Sequence, residues 1–193
     1  MDLHLRDASV HWHRSWLERD SADLLYRTLH AEVPWNVHRI RMFGRQVDSP
    51  RLSCWMGDAD AHYRYSGTLF VPVLWHPLLM PLRDRLAAFC GAPFNSVLLN
   101  RYRDGEDGMG WHRDNEPELG PAPLIASLSV GAERRFMLRR RDAHASKVEV
   151  WLGHGDLLVM AGETQRHYQH ALPRIRRPLG ERINLTFRWI LPR

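Results

Sequence analysis

The chain has 193 residues, 44% hydrophobic and 25% charged, the size and balance of a single globular domain rather than a disordered or fibrous chain. No apolar run approaches the ~18 residues that cross a membrane, the opening MDLHLRDASVHWHRSW lacks the apolar core of a secretory leader, and Cys54 and Cys90 form neither a CxxC nor a disulfide framework. These features predict reduced thiols in a cytoplasmic protein (nuclear in a eukaryote), and the net charge of +5 favours an anionic partner, although Lys147 is the single lysine and base composition alone also produces an arginine bias.

In chain order, Ser21 is a candidate N-cap for a helix over Ser21–Glu32, with Leu25 and Leu29 on one face. Val37–Arg45 and Tyr63–Leu69 read as strands. A second helix is predicted from Pro77 or Leu78 to Cys90, with Leu78, Leu82, Leu86 and Phe89 as its apolar stripe and Gly91 as its stop. Beyond Gly91 short strands follow at regular spacing: Ser96–Tyr102, Leu124–Val130, Arg134–Arg140, Lys147–Leu152, Asp156–Met160, His167–Leu172 and Arg182–Ile190. Glycine-rich turns between such strands predict an α+β, mainly β domain, a sandwich or jelly-roll barrel, with the helices bracing one outer face.

Histidine is abundant, so spacing has to select among the candidates. Two His-x-Asp triplets occur, His112-Arg113-Asp114 and His154-Gly155-Asp156. A metal held by two histidines and one carboxylate on one face of an octahedron needs its second histidine from a distant strand. His167 and His170 stand several strands beyond His112, but only about a hairpin beyond His154, whose Gly155-Asp156 reads as a turn. In RINLTFR, even spacing puts Arg182, Asn184, Thr186 and Arg188 on one face and Ile183, Leu185, Phe187 and Trp189 on the other. Two guanidiniums on such a face can clamp a dicarboxylate. The twelve-residue interval to Arg182 selects His170 over His167, and Asn100 and Tyr102 are same-face strand neighbours able to donate to a bound keto acid.

These residues, in this order, resemble the AlkB-type Fe(II)/2-oxoglutarate nucleic-acid dealkylases. NRYRDGEDGMGWHRD, IASLSVGAERRF, the HALP segment and RINLTFR carry the match, densely in the C-terminal half and thinly back to about Arg41. The resemblance implies a double-stranded β-helix, with His112, Asp114 and His170 as iron ligands. It implies Arg182 and Arg188 on the carboxylates of 2-oxoglutarate, assisted by Asn100, Tyr102 and Asn184. The chemistry implied consumes O₂ and 2-oxoglutarate, yields succinate and CO₂, and hydroxylates an N-alkyl carbon so that an aldehyde leaves the repaired base. One domain over 1–193 is expected, with 1–90 as nucleotide-recognition and helical support and 91–193 as the catalytic core.

The resemblance also places Tyr63, Tyr65 and His112 around a flipped base, with Glu116 at the base edge; a cationic N1-methyladenine or N3-methylcytosine suits such walls. Asn115 stands where relatives commonly carry an acidic residue, which leaves the preferred base open. In HRIRMFGRQVDSPR, Met42-Phe43 before Gly44 is a candidate wedge into the base stack, with Arg39, Arg41 and Arg45 around it to hold phosphates, and Arg51 is a further substrate-binding candidate. Of the basic clusters Arg134/Arg135, Arg139–Arg141 and Arg174/Arg176/Arg177, the first is expected to touch phosphate. The leading expectation is a monomer acting on alkylated DNA. The rivals are the same chemistry on RNA, protein or a small metabolite, and a β-sandwich that binds nucleic acid without catalysis.

Overall fold

The computed structural model describes residues 1–42, 45–65, 68–143, 146–176 and 179–191, and the side chains at 38–47 and 64–69 stand outside that description. The first half of the chain forms β1 (Ser9–His13), α1 (Arg19–Glu32), β2 (Asn36–Met42), β3 (Arg45–Gly57), β4 (Tyr63–Tyr65), β5 (Thr68–Phe70) and α2 (Leu79–Cys90). Then come β6 (Ser96–Tyr102), β7 (Met109–His112), β8 (Ile125–Gly131), β9 (Arg134–Arg140), β10 (Lys147–Leu152), β11 (Leu157–Ala161), a short α3 (Thr164–His167), β12 (Tyr168–Leu172) and β13 (Arg182–Arg188).

From β6 onward the chain crosses between two facing sheets at nearly every step. The large sheet runs β1-β11-β8-β13-β6-β3-β2 and the small one β10-β9-β12-β7, and every pairing between these strands is antiparallel. This is the jelly-roll order of a double-stranded β-helix. The residues before α2 give three strands to the large sheet, so the first half of the chain extends the same framework.

Alternation explains why the layers hold together. On β13, Ile183, Leu185 and Phe187 face outward, where Ala22, Leu25 and Leu29 of α1 and Leu79, Leu82 and Leu86 of α2 cover them. Between the sheets, Ile125, Leu138, Leu152, Leu158 and Leu172 belong to a second buried cluster. Each such side chain contributes roughly 1.5–3 kcal/mol by leaving water. The polar positions of β13 face the other way, toward a cavity.

Several elements differ from the sequence reading. Helix α1 begins at Arg19 after Glu18 and carries no side-chain cap, so Ser21 lies inside its first turn. The buried stripe of α2 is Leu79, Leu82 and Leu86, while Phe89 is 47% exposed and packs edge-on against Trp16. Gly91 does end that helix, at φ 66°. Tyr63–Leu69 divides into the β4–β5 hairpin. The thirteen-residue β3 was hidden by Asp48-Ser49-Pro50, which reads as a turn. In the structure Pro50 falls in a bulge, where Val37 pairs with Leu52 but Arg39 pairs with Asp48.

Candidate metal and co-substrate site

Strand β7 is the edge of the small sheet and pairs with β12, which sets His112 directly opposite His170. Asp114 follows just past the end of β7, so the turn leaving that strand brings in the third group. One ligand atom from each of His112, Asp114 and His170 lies within 4.8 Å of the others. His112 Nδ1 donates to the Gly110 carbonyl at 2.9 Å, which leaves Nε2 facing Asp114 Oδ1 at 3.9 Å. Phe136 stacks on His170 with ring centroids 5.4 Å apart, and Gln165 Oε1 accepts from the Asp114 backbone N–H at 3.0 Å.

The electrostatics suit a cation. Burial would raise the Asp114 carboxyl, but Arg188, His170 and His112 outweigh it and hold the group far below the usual carboxylate range. Burial drives both imidazoles down, with His112 adding to the effect on His170, so the site favours the neutral form of each ring, the form whose nitrogen can ligate a cation. Two neutral imidazoles and one carboxylate on one side of a cavity are the donor set of a non-haem Fe(II) site with open positions, and the residues therefore fit that ion.

The cavity beside this triad is walled by the inward face of β13 (Arg182, Asn184, Thr186, Arg188) and by Asn100 and Tyr102 of β6. Arg182 is 2% exposed, its Nη2 donates to Ser129 Oγ at 2.9 Å, and its Nε has no partner. Among the described residues no carboxylate lies within ion-pair distance of it. Burial, together with the charge of Arg134, pulls its pKa down to about 10. A desolvated guanidinium with spare donors is a receptor for an anion.

Arg188 lines the same cavity: its Nε and Nη2 donate to Asp114 Oδ2 at 3.1 and 2.7 Å, so it braces the carboxylate, and its buried Nη1 is left without a partner. Asn184 spends its amide protons on Ser127 Oγ and the Leu128 carbonyl, at 2.9 and 3.0 Å. In this arrangement it shapes the wall.

A second cavity shares Asp114 and Arg188 with the first and is lined by Ser49, Arg51, Ser53 and Trp55 of β3 with Tyr63, Phe70 and Leu98. Tyr63 stacks on Trp55 with centroids 5.1 Å apart and planes 21° from parallel. Its hydroxyl is hydrogen-bonded to Glu116, whose Oε2 is buried without a partner. Burial, with Asp114 nearby, raises the Glu116 carboxyl. Trp55 and Phe70 escaped the sequence reading, although alternation of Ser49, Arg51, Ser53 and Trp55 would have revealed one face of β3. Tyr65 pairs with Thr68 through its backbone, and Met42 with Arg45, but their side chains stand outside the description and Phe43 lies outside the described residues.

Arg134 is not at the surface to hold phosphate. It is fully buried, and its Nη atoms donate to the carbonyls of Asp104, Asp107 and Pro173 at 2.8–3.1 Å. It and Arg182 lie over the Tyr102 ring, at 5.7 and 5.4 Å from its centroid. The second His-x-Asp is structural, as its turn-like setting suggested. Asp156 accepts from Trp12 Nε1, Ser15 N and Gly153 N at 2.8–3.0 Å, and His154 Nδ1 accepts from Gly131 N at 2.8 Å.

Fold and site together define an oxygenase that uses a metal and a diacid. Residues 9–188 match the family model described as the 2OG-Fe(II) oxygenase superfamily. Over 181 residues the chain is 41% identical to the DNA oxidative demethylase ALKBH2 of Mus musculus, covering 89% of this chain and 76% of that protein. It is 40% identical to ALKBH2 of Homo sapiens, covering 88% and 69%, and 37% identical to alpha-ketoglutarate-dependent dioxygenase alkB homolog 3 of Bos taurus, covering 92% and 64%. A solved structure titled as that of OsALKBH1 superposes with a TM-score of 0.68 at 16% identity, covering 96% of this chain and 99% of that one, and shows the shared fold. The chain belongs to the 2OG-Fe(II) oxygenases, in their AlkB-type branch.

Proposed function

We propose that this protein repairs N-alkylated bases in DNA by oxidative dealkylation, acting as a monomer in the cytoplasm or nucleus. One observation carries the reading: the triad and Arg182, whose buried Nε lacks a partner, share a cavity that joins, through Asp114 and Arg188, a second cavity walled by aromatic rings. Relatives about 40% identical are named DNA oxidative demethylases. Bound Fe(II) with 2-oxoglutarate and O₂ supplies an oxidant able to hydroxylate an N-alkyl carbon.

The chain's own residues do the rest. His112, Asp114 and His170 would hold the ion, and Arg182 would take a carboxylate of the co-substrate. Tyr63, seated on Trp55, and Tyr65 would stack on an extruded base, while Glu116 offers an acceptor to its edge. Met42 and Phe43 would enter the vacated stack.

Mass spectrometry of N1-methyladenine and N3-methylcytosine oligonucleotides, single- and double-stranded, with and without 2-oxoglutarate, tests this. Methyl loss only with 2-oxoglutarate is expected. Turnover confined to RNA, or to a non-nucleic substrate, overturns the DNA reading. Phe43→Ala is expected to lower duplex repair much more than single-strand repair, and equal losses refute the wedge.

A further inference from the structure

Arg51 stands between the two cavities. It projects from β3 into the aromatic one, yet its Nε donates to Asn100 Oδ1 at 2.7 Å, and Asn100 lines the cavity of the triad. Both residues are nearly inaccessible, at 7% and 3% exposure. Ser53 and Asn100 are direct partners across the β3–β6 ladder, so the reach of Arg51 is set by the sheet. Among the described residues no carboxylate lies within ion-pair distance of Arg51, so its bond to Asn100 is not a by-product of a salt bridge.

A primary amide has two faces. With Oδ1 held by a cationic donor, the –NH₂ end of Asn100 is the end left for the cavity, where it is a donor suited to an acid. If the amide were free to flip, it would present an acceptor to a carboxylate half the time and repel it.

We infer that Arg51 is a positioning residue for the co-substrate: it orients the Asn100 amide toward 2-oxoglutarate without touching the acid, and so ties the wall of the base cavity to the diacid cavity. This rests on the family's diacid occupying the cavity of Arg182.

The test is calorimetric titration of 2-oxoglutarate into Mn(II)-loaded protein, without nucleic acid or turnover, for the wild type, Arg51→Met, Asn100→Ala and the double variant. Each single change is expected to weaken binding about five- to tenfold. The double variant should lose no more than the worse single one, because both remove the same interaction. Unchanged affinity in Arg51→Met, or a double loss equal to the product of the single ones, overturns the inference. Where Arg51→Met does not fold, Arg51→Lys replaces it: an ammonium lacks the directed Nε–H, so a loss is again expected and retained affinity overturns the inference. A wild type that takes up no 2-oxoglutarate overturns the diacid reading and the inference with it, an outcome distinct from a failure of Arg51 alone.

Discussion

Replacing Arg182 with methionine is expected to make the ligand-free protein more stable while abolishing its response to 2-oxoglutarate. The guanidinium is buried, has no carboxylate partner among the described residues and leaves Nε without an acceptor. Its pKa falls well below that of an ordinary guanidinium, to about 10, chiefly through burial and then through Arg134, which corresponds to a cost of about 3 kcal/mol for holding the charge in the folded state. At neutral pH, below both values, the whole of that cost is present. It would fade only as pH rises above about 10 toward the ordinary guanidinium range, where the unfolded chain binds the extra proton. Methionine fills a similar volume without charge, and the lost bond to Ser129 offsets about 1 kcal/mol of the gain. The net expectation is a stabilisation of roughly 1–3 kcal/mol, or about 2–4 °C in Tm per kcal/mol. Thermal unfolding of Mn(II)-loaded protein provides the measurement. At a hundredfold excess over Kd, 2-oxoglutarate should stabilise the wild type by about 2.7 kcal/mol and the variant not at all. A variant that melts below the wild type without ligand, or that still gains from 2-oxoglutarate, would refute the reasoning.

The neighbouring buried arginine should behave in the opposite way. Arg134→Met removes donors to three carbonyls from two loops, and a loss of about 3–5 kcal/mol is expected in denaturant unfolding; a neutral result would contradict the carbonyl clamp. His170→Ala should abolish stoichiometric Mn(II) or Fe(II) uptake by elemental analysis, and retention of one ion per chain would displace the proposed ligand set. Asp156→Ala should cost about 2–4 kcal/mol, since it strips the acceptor from three donors, yet leave metal stoichiometry intact. Loss of the ion in that variant would mean that the turn matters to the centre.

The parts of the site carried by strict alternation were legible in the chain. The period of two on β13 placed Arg182 and Arg188 inward and Ile183, Leu185 and Phe187 in the outer core. His112 and Asp114 were readable because they are two residues apart beside a strand end. What escaped depends on partners that local pattern does not name. Arg134 and Arg135 look alike as a basic pair, and only carbonyls from Asp104, Asp107 and Pro173 decide that the first is internal. Arg188 reads as a clamp for a diacid, and nothing in the local pattern shows that Asp114 takes two of its donors. Strand β3 was lost because proline is a turn signal until a bulge accommodates it, and Trp55 went with it. The Ser21 cap failed because the helix begins two residues earlier, at Arg19 after Glu18, without a side-chain cap.

The position of β7 has one more consequence. It is only four residues long, has a single neighbour, and carries or adjoins two of the three candidate ligands, the third being on the neighbour itself. An ion seated there would act as a rivet, fastening the weakest border of the barrel to the strand beside it. Chelation should therefore be felt first in the backbone amides of Met109–His112, whose deuterium uptake would accelerate before any change in β13 at the centre of the large sheet.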